Sequence, residues 1–534
     1  KEQRMSWYNE AKFGCFIHWG PYSVPAGLWK NKMQSGYTEH LMRKARIPLE
    51  EYKKELILPF NPTEFDAEEW MRHASEAGMR YFVITAKHHD GFAMYPSDAY
   101  PYDIRLSKFQ KDPMEALSRA AKKYGIKFGF YYSHAFDWEH PDAPGNDWDY
   151  PTNPGGDKLV GGKNWWLERK DFLANAEKYV NEKSIPQIQE LIRKYDPDIL
   201  WFDTPQKLPL YRNTGDRSAF FFPTEGAWES IPTTNESYGY SVVDTVRKPV
   251  SFFVQLLPSA TSKGGNILMN VGPMGNGRWD KRDIEVFQGI GQWLKVNGES
   301  IYGAQRTNLP IQPWGVTTLK GDTLYAHVFH WPADGKLIIG GLRSDIGKGW
   351  LVADKKAAIR FKRLNADDYE LTLPANAPDS MNSVIALVLN NRKVPNPIRL
   401  IDHKQSNTLY TFDSELQGRG LGYGDGKPNR NYVTKWKNTN QWMKWNLRSS
   451  APVEYTVYLD YNTQGKNDTG TVVVEIAGQK LEANYSTYPE QKGTNSLRLG
   501  KVKLPKGSFE CSLKGKQYQG SQYMTPIAVR LEKE

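Results

Sequence analysis

Residues 112 to 132, DPMEALSRAAKKYGIKFGFYY, decide the fold. Asp112, Pro113 and Glu115 fit the cap, first-turn and capping-box positions of a helix. An aspartate oxygen there accepts from the open amides of the first turn, and proline needs no amide at that point. Leu117, Ala120, Ala121 and Tyr124 fall on one helical face, Gly125 supplies the stop, and the apolar run Ile126 to Tyr132 follows as a strand. The same unit recurs on both sides. Asp66 and Glu69 open a helix with Trp70, Ala74 and Ala77 on its buried side, Gly78 closes it, and Arg80 to Ala86 reads as a buried strand running into Lys87, His88, His89 and Asp90. Ile188, Leu191, Ile192 and Tyr195 mark a third helix, followed by the strand Ile199 to Phe202, which ends on Asp203. An opening strand, Phe13 to Ile17, delivers His18 and Trp19, and a closing one, Asn266 to Val271, leads into Gly272 and Pro273.

Buried strands alternating with helices imply a parallel sheet, and about 300 residues suits a (β/α)8-like barrel. Polar residues placed just after strands then share one rim, where such barrels carry their chemistry. His18, His88, His89, Tyr132 and Asp203 are expected to converge there. No G-x-G-x-x-G fingerprint or P-loop follows the first strand, which disfavours nucleotide-cofactor chemistry.

The chain has 534 residues, room for about three domains at roughly 150 residues each. Hydrophobic residues make up 39% and aromatics 13%, the profile of a well-packed globular protein whose aromatic surplus suits sugars. No apolar run approaches the ~20 residues of a membrane-spanning helix. Cys15 and Cys511 lie too far apart in sequence to suggest a disulfide framework or a cysteine-built zinc site. The sequence starts at Lys1 without an initiator Met, as a mature periplasmic or extracellular chain would. Residues 301–534 carry 32 Lys+Arg against 21 Asp+Glu, so this part holds the whole positive excess. That surface suits an anionic polymer, or serves solubility alone.

After about Tyr302 the period changes to short strands, among them Thr323 to Phe329, Lys336 to Ile339 and Ser383 to Leu389, separated by Gly, Pro, Asn and Asp turns. A Pro-Asn-Pro stretch at Val394 to Pro397 reads as a linker, and Tyr455 to Tyr461, Thr471 to Ile476 and Ile527 to Leu531 form a further strand-rich module. The expected architecture is α/β: a (β/α)8-like catalytic domain at 1–305, then β-sandwich modules at 306–394 and 395–534. The last is a candidate carbohydrate-binding module, because Trp436, Trp442 and Trp445 lie among Lys435, Lys437 and Lys444. Packing of these aromatics on a core is the plainer reading and carries the greater weight.

Glycoside hydrolysis needs two carboxyl groups, one ionised as nucleophile or base and one protonated as acid. Asp203, at the end of an apolar strand, suits the first role. An aspartate capping the next helix would be followed by that helix, whereas Thr204 and Pro205 lead into a loop. His88 and His89 are harder to read, since successive residues on an extended chain point to opposite sides. With His18 and Asp203 they could hold a metal and make a metal-dependent hydrolase, but H-x-H and H-E-x-x-H spacings are absent. As hydrogen-bond partners of sugar hydroxyls they need no metal.

At these residues the sequence resembles glycoside hydrolase family 29, the α-L-fucosidases. The likeness is carried by Phe13 to Gly20 (FGCFIHWG) with Tyr22 to Pro25, Tyr81 to Phe92 (YFVITAKHHDGF), Phe128 to Trp138 (FGFYYSHAFDW), Ile199 to Asp203 (ILWFD) and Gly264 to Pro273 (GGNILMNVGP), in order across roughly residues 5 to 305. The resemblance implies a barrel, a retaining double displacement, no cofactor and no metal, and a pocket for terminal L-fucose. By motif, Asp203 is similar to the nucleophile. His18, His88, His89 and Tyr132 match sugar-binding positions, and Phe16 and Trp201 match apolar contacts. Glu229, in Trp228-Glu229 ahead of Thr233 to Tyr240, matches a W-E motif for the general acid, with Glu225 as the alternative. Glu39 aligns with a Glu-Trp-Tyr segment that contacts the sugar, and here His40 replaces the aromatic. That departure, with Thr204-Pro205 in place of the Gly that often follows the nucleophile, leaves two substrates open. One is L-fucose on a glycan; the other is L-galactose, in an α-L-galactosidase acting on algal galactans, sulfated or not. A hydrophobic pocket rejects one added hydroxyl by only ~100-fold. The implied partner is an oligo- or polysaccharide, neutral or anionic, and not a nucleic acid. A barrel that binds glycans without turning them over is the alternative of another class.

Overall fold

The computed structural model describes residues 2–155, 165, 169–203, 211–213, 224–424, 431–462, 467–488 and 493–533. Thr204 and Pro205, expected to open a loop, lie outside the described residues. Contacts gather Lys1–Arg212, Ile231–Phe253 and Asn266–Lys295 into one unit, and Asn213–Ser230, Val254–Gly265 and Val296–Glu534 into a second. The amino-terminal stretch is therefore shared between the two.

The first unit is built on five strands: β1 (Phe13–Ile17), β2 (Tyr81–Lys87), β3 (Lys127–Tyr132), β4 (Ile199–Phe202) and β5 (Asn266–Val271). They lie side by side in the order β4-β3-β2-β1-β5. All four pairings are parallel, with Phe16 opposite both Val83 and Asn270, and Tyr131 opposite Trp201. Every residue of β1, β2 and β5 is buried, which explains why these strands read as continuous apolar runs rather than alternating ones. This curled sheet belongs to a (β/α)8-like barrel, the class expected from the sequence. Helices α1 (Ala67–Glu76), α2 (Pro113–Tyr124) and α3 (Ile185–Tyr195) precede β2, β3 and β4. Asp112 accepts from the amides of Met114 and Glu115, each at 3.0 Å, and Gly125 closes α2 at φ 65°, a conformation costly for any residue with a Cβ. Asp66 caps α1 in the same way.

The second unit contains two β-sandwiches, each with its own core. In the first, a five-stranded sheet centred on Ser383–Leu389 faces a three-stranded sheet centred on Asp368–Thr372, and Trp314, Leu324, Ile339, Leu371, Ile385 and Leu387 fill the space between. In the second, Trp442–Ser449 and Gly507–Gln519 run through one sheet, Val453–Asn462 and Thr525–Glu532 through the other. Trp436 and Trp445 are buried in that second core, with their indole nitrogens donating to the Gln441 carbonyl and Asp413 Oδ1, both at 2.7 Å. Those two rings pack on protein, and only Trp442 of the three is partly exposed. Among the described residues no helix is long and apolar enough to cross a membrane.

Candidate active site

Five strand ends of the first unit meet on one rim. β4 delivers Asp203, whose Oδ2 accepts from the Tyr131 hydroxyl at 2.6 Å and lies 3.3 Å from His89 Nε2. The Asp203 side chain is 29% exposed while that of His89 is 5% exposed, so the carboxylate is the group with solvent access in a nearly dry surround. Burial, and after it the Asp203 charge, drives the Tyr131 phenol well above its ordinary pKa, and the hydroxyl therefore stays a donor.

Proton counting orients two of the histidines. The Ser133 hydroxyl gives its one proton to the Phe136 carbonyl at 2.8 Å, so the 2.6 Å contact with His89 is a donation from Nδ1–H to Ser133 Oγ. Nε2 is thereby presented to Asp203, and the two form an ion pair whenever that nitrogen is also protonated. On the other side, Asn270 Nδ2 donates to the Tyr238 carbonyl and its Oδ1 receives His18 Nδ1–H, each at 2.7 Å. The neutral His18 tautomer is then fixed, with Nε2 as an acceptor suited to a sugar hydroxyl.

An aromatic stack forms the floor. Tyr131 lies between His88 (5.3 Å, 7° interplanar) and Trp201 (5.4 Å, 21°). Phe16 packs on His18 at 4.6 Å and on Trp201 at 5.1 Å. His88 and His89 do not diverge as an extended pair would: their ring centroids are 4.3 Å apart. β2 ends at Lys87, and a turn closed by the Gly91 amide on the His88 carbonyl, with Gly91 at φ 77°, brings both rings to the same side. Burial is the leading reason that His88 lies well below the ordinary imidazole pKa. His134, also lowered first by burial, stacks edgewise on Phe202 and feels the Asp203 charge.

Tyr132, expected on the rim, is held elsewhere in the structure. Its hydroxyl donates to Gln187 Oε1 at 2.8 Å and the Lys87 ammonium lies 4.9 Å from its ring centre, away from Asp203. Strand alternation sends Tyr131 and Tyr132 to opposite faces, and the register of Tyr131 with Trp201 marks the former as the rim residue. Glu39 is buried with Oε2 on the Gly239 amide at 2.8 Å, and the Thr38 amide bonds Ser237 Oγ at 2.9 Å, so this segment ties down the loop that carries Tyr238. Beneath the histidine turn, Lys87 and Lys183 share Asp137 Oδ2 at 2.7 and 2.9 Å, all three side chains fully buried.

Two expected carboxyl groups belong to the second unit. Glu229 is fully buried on the strand Ala227–Ser230, beside Trp228, whose indole donates to the Lys263 carbonyl at 3.2 Å. Glu225 is 86% exposed and paired with Arg306. Asn270, Ser133 and Tyr238 join the cluster without having been singled out by motif, and His40, noted only as a departure from the aromatic of its segment, lies beside His88 and His89. Asn270 sits inside the quoted GGNILMNVGP segment, but its place opposite Phe16 is visible only in the strand register.

Comparison with known proteins gives one consistent result. A family model described as Alpha-L-fucosidase matches residues 1–220 and 210–299. The chain is 27% identical over 393 residues to a protein named tissue alpha-L-fucosidase from Rattus norvegicus, covering 62% of this chain and 77% of that one. The crystal structure of an alpha-L-fucosidase from Vibrio sp. strain EJY3 is similar over 100% of this chain and 98% of its own, at 25% identity and a TM-score of 0.76. Alpha-L-fucosidase isoenzyme 1 from Paenibacillus thiaminolyticus is similar over 73% of this chain and 99% of its own, at 28% identity and a TM-score of 0.61.

Proposed function

The chain belongs to the α-L-fucosidase family of glycoside hydrolases, and from that premise we propose that it is a retaining exo-α-L-fucosidase releasing terminal L-fucose from glycans. The observation that carries the reading is Asp203, a carboxylate kept partly accessible and oriented by Tyr131 and His89 among His18, His88, Phe16 and Trp201. In the proposed sequence Asp203 attacks the anomeric carbon while Glu229 protonates the departing oxygen. Glu229 then takes a proton from the water that releases the sugar, and the bond to Asp203 breaks. Burial disfavours a charged carboxylate, which is the condition a general acid needs. That supports Glu229 over Glu225, which is exposed and paired with an arginine. His18, His88 and His89 are proposed as partners of the sugar hydroxyls and Glu39 as support for the same pocket. Names of the relatives support L-fucose over L-galactose. The positive balance of residues 301–534 supports an anionic glycan as carrier.

The test is a side-by-side measurement on aryl α-L-fucoside and α-L-galactoside with wild type and Asp203→Gly. Wild type should prefer the fucoside. Asp203→Gly should lose turnover yet, with azide added, form the glycosyl azide of inverted configuration. Comparable rates on the galactoside would reassign the substrate, and near-normal hydrolysis by Asp203→Gly would remove Asp203 from the mechanism.

A further inference from the structure

The rim carries three imidazoles whose chemistry the sugar reading does not exhaust. His40, His88 and His89 each offer a ring nitrogen, and these atoms lie within 4.8 Å of one another. Ring centroids are 5.3 Å apart for His40–His89 and 5.8 Å for His40–His88. We propose that His40, His88 and His89 form a binding site for a zinc-class divalent ion, and that an ion held there excludes the sugar from the pocket before Asp203. The second half rests on the pocket assignment made above; the first stands on the imidazoles alone.

Ligand nitrogens at ~2.0–2.1 Å from a tetrahedral zinc lie about 3.4 Å apart, so the widest pair need close by only about 1.4 Å, within reach of ring rotation. Three histidines with a fourth position open are an established zinc arrangement, and imidazole also suits copper and nickel. Metal-bound histidines commonly donate their other ring N–H to a fixed acceptor. His89 already does so, through Nδ1–H to Ser133 and on to the Phe136 carbonyl, which leaves Nε2 as its ligand atom. His88 Nδ1 is buried without a hydrogen-bond partner among the described residues, so this ring is not committed on that side. His40 meets Arg43 Nη2 at 3.4 Å, a long contact that an ion on Nδ1 would displace. His89 Nε2 also faces Asp203 at 3.3 Å, so an ion bound to it occupies space beside the reacting carboxylate.

The experiment uses the full, tag-free chain. Isothermal titration with zinc chloride should give one ion per chain, and cobalt(II) should give the visible bands of a tetrahedral nitrogen site. His40→Gln, with unchanged circular dichroism, should weaken zinc by at least ~100-fold, beyond what loss of outer-shell support costs. His88→Gln should do the same. Zinc should raise KM of wild type for its aryl glycoside at constant kcat, and His40→Gln should be insensitive. Absence of stoichiometric binding, or equal affinity in His40→Gln, overturns the site. Binding that lowers kcat without touching KM overturns the exclusion of sugar. Lack of activity on either aryl glycoside would refute the functional reading while the titration still decides the metal site.

Discussion

Asp137→Asn removes one charge from a cluster that water does not reach, and the cost can be worked from its neighbours. Lys183 keeps Glu139 at 2.6 Å, but Lys87 loses its contacting carboxylate and is left with the Tyr179 hydroxyl at 3.1 Å, an uncharged amide oxygen and the more distant Asp90 charge. A buried charge stripped of its partner costs about 3–5 kcal/mol. The ceiling is the cost of neutralising Lys87: shedding its proton at pH 7 from an ordinary value of 10.5 takes about 5 kcal/mol. At ~2–4 °C per kcal/mol the melting temperature should fall by about 6–20 °C. The pH dependence is a sharper test. In the wild type, burial has lowered Lys87 to about 8, so from pH 7 to 8 the folded group goes from about nine-tenths to half protonated while the unfolded one stays charged, and stability rises by only about 0.4 kcal/mol. In the variant, loss of the Asp137 charge lowers folded Lys87 further; at the ceiling it is neutral when folded and charged when unfolded, and stability then climbs by about 1.4 kcal/mol per pH unit. Asp137 adds no slope in this window. Burial alone would raise it, but the charges of Lys183 and Lys87 hold it below the ordinary carboxylate range, and its contribution is lost only as pH falls into acid. The gap between the two proteins should therefore shrink by about 1 kcal/mol from pH 7 to pH 8. Scanning calorimetry at both values measures it. A shift under 2 °C at pH 7, or a gap that does not narrow, would refute the argument.

Asn270→Ala strips the acceptor that fixes the His18 tautomer. At ~1–3 kcal/mol for a buried group left unpaired, kcat/KM should fall by about 5- to 150-fold, and a change under twofold would show that His18 is held otherwise. Tyr131→Phe should lower kcat/KM by about 10-fold or more, because it loses a 2.6 Å bond to a charged carboxylate, while Tyr132→Phe should stay within ~3-fold and lose only stability. Kinetics of the two variants in the reverse order would return Tyr132 to the rim. Glu229→Gln should slow aryl substrates with poor leaving groups by ~100-fold or more and spare those with good ones, with Glu225→Gln near wild type. Exchange of these two profiles would move the acid to Glu225.

The sequence by itself determined the architecture and the nucleophile candidate. Capped helices at Asp66 and Asp112, their glycine stops and the buried runs after them depend on local backbone chemistry and hydrophobic periodicity, both of which can be read within about 20 residues. The same local logic placed His18, His88, His89 and Asp203 at strand ends. Only the tertiary structure decided which side chains face one another. The choice of Tyr131 over Tyr132 depends on the register of β3 with β4, and the convergence of His88 with His89 depends on a turn that breaks strand alternation. Asn270 reaches His18 across 252 residues of chain, and His40 joins the other imidazoles from a segment with no strand of its own. Such contacts are set by packing between distant elements, and no local pattern in the chain encodes them.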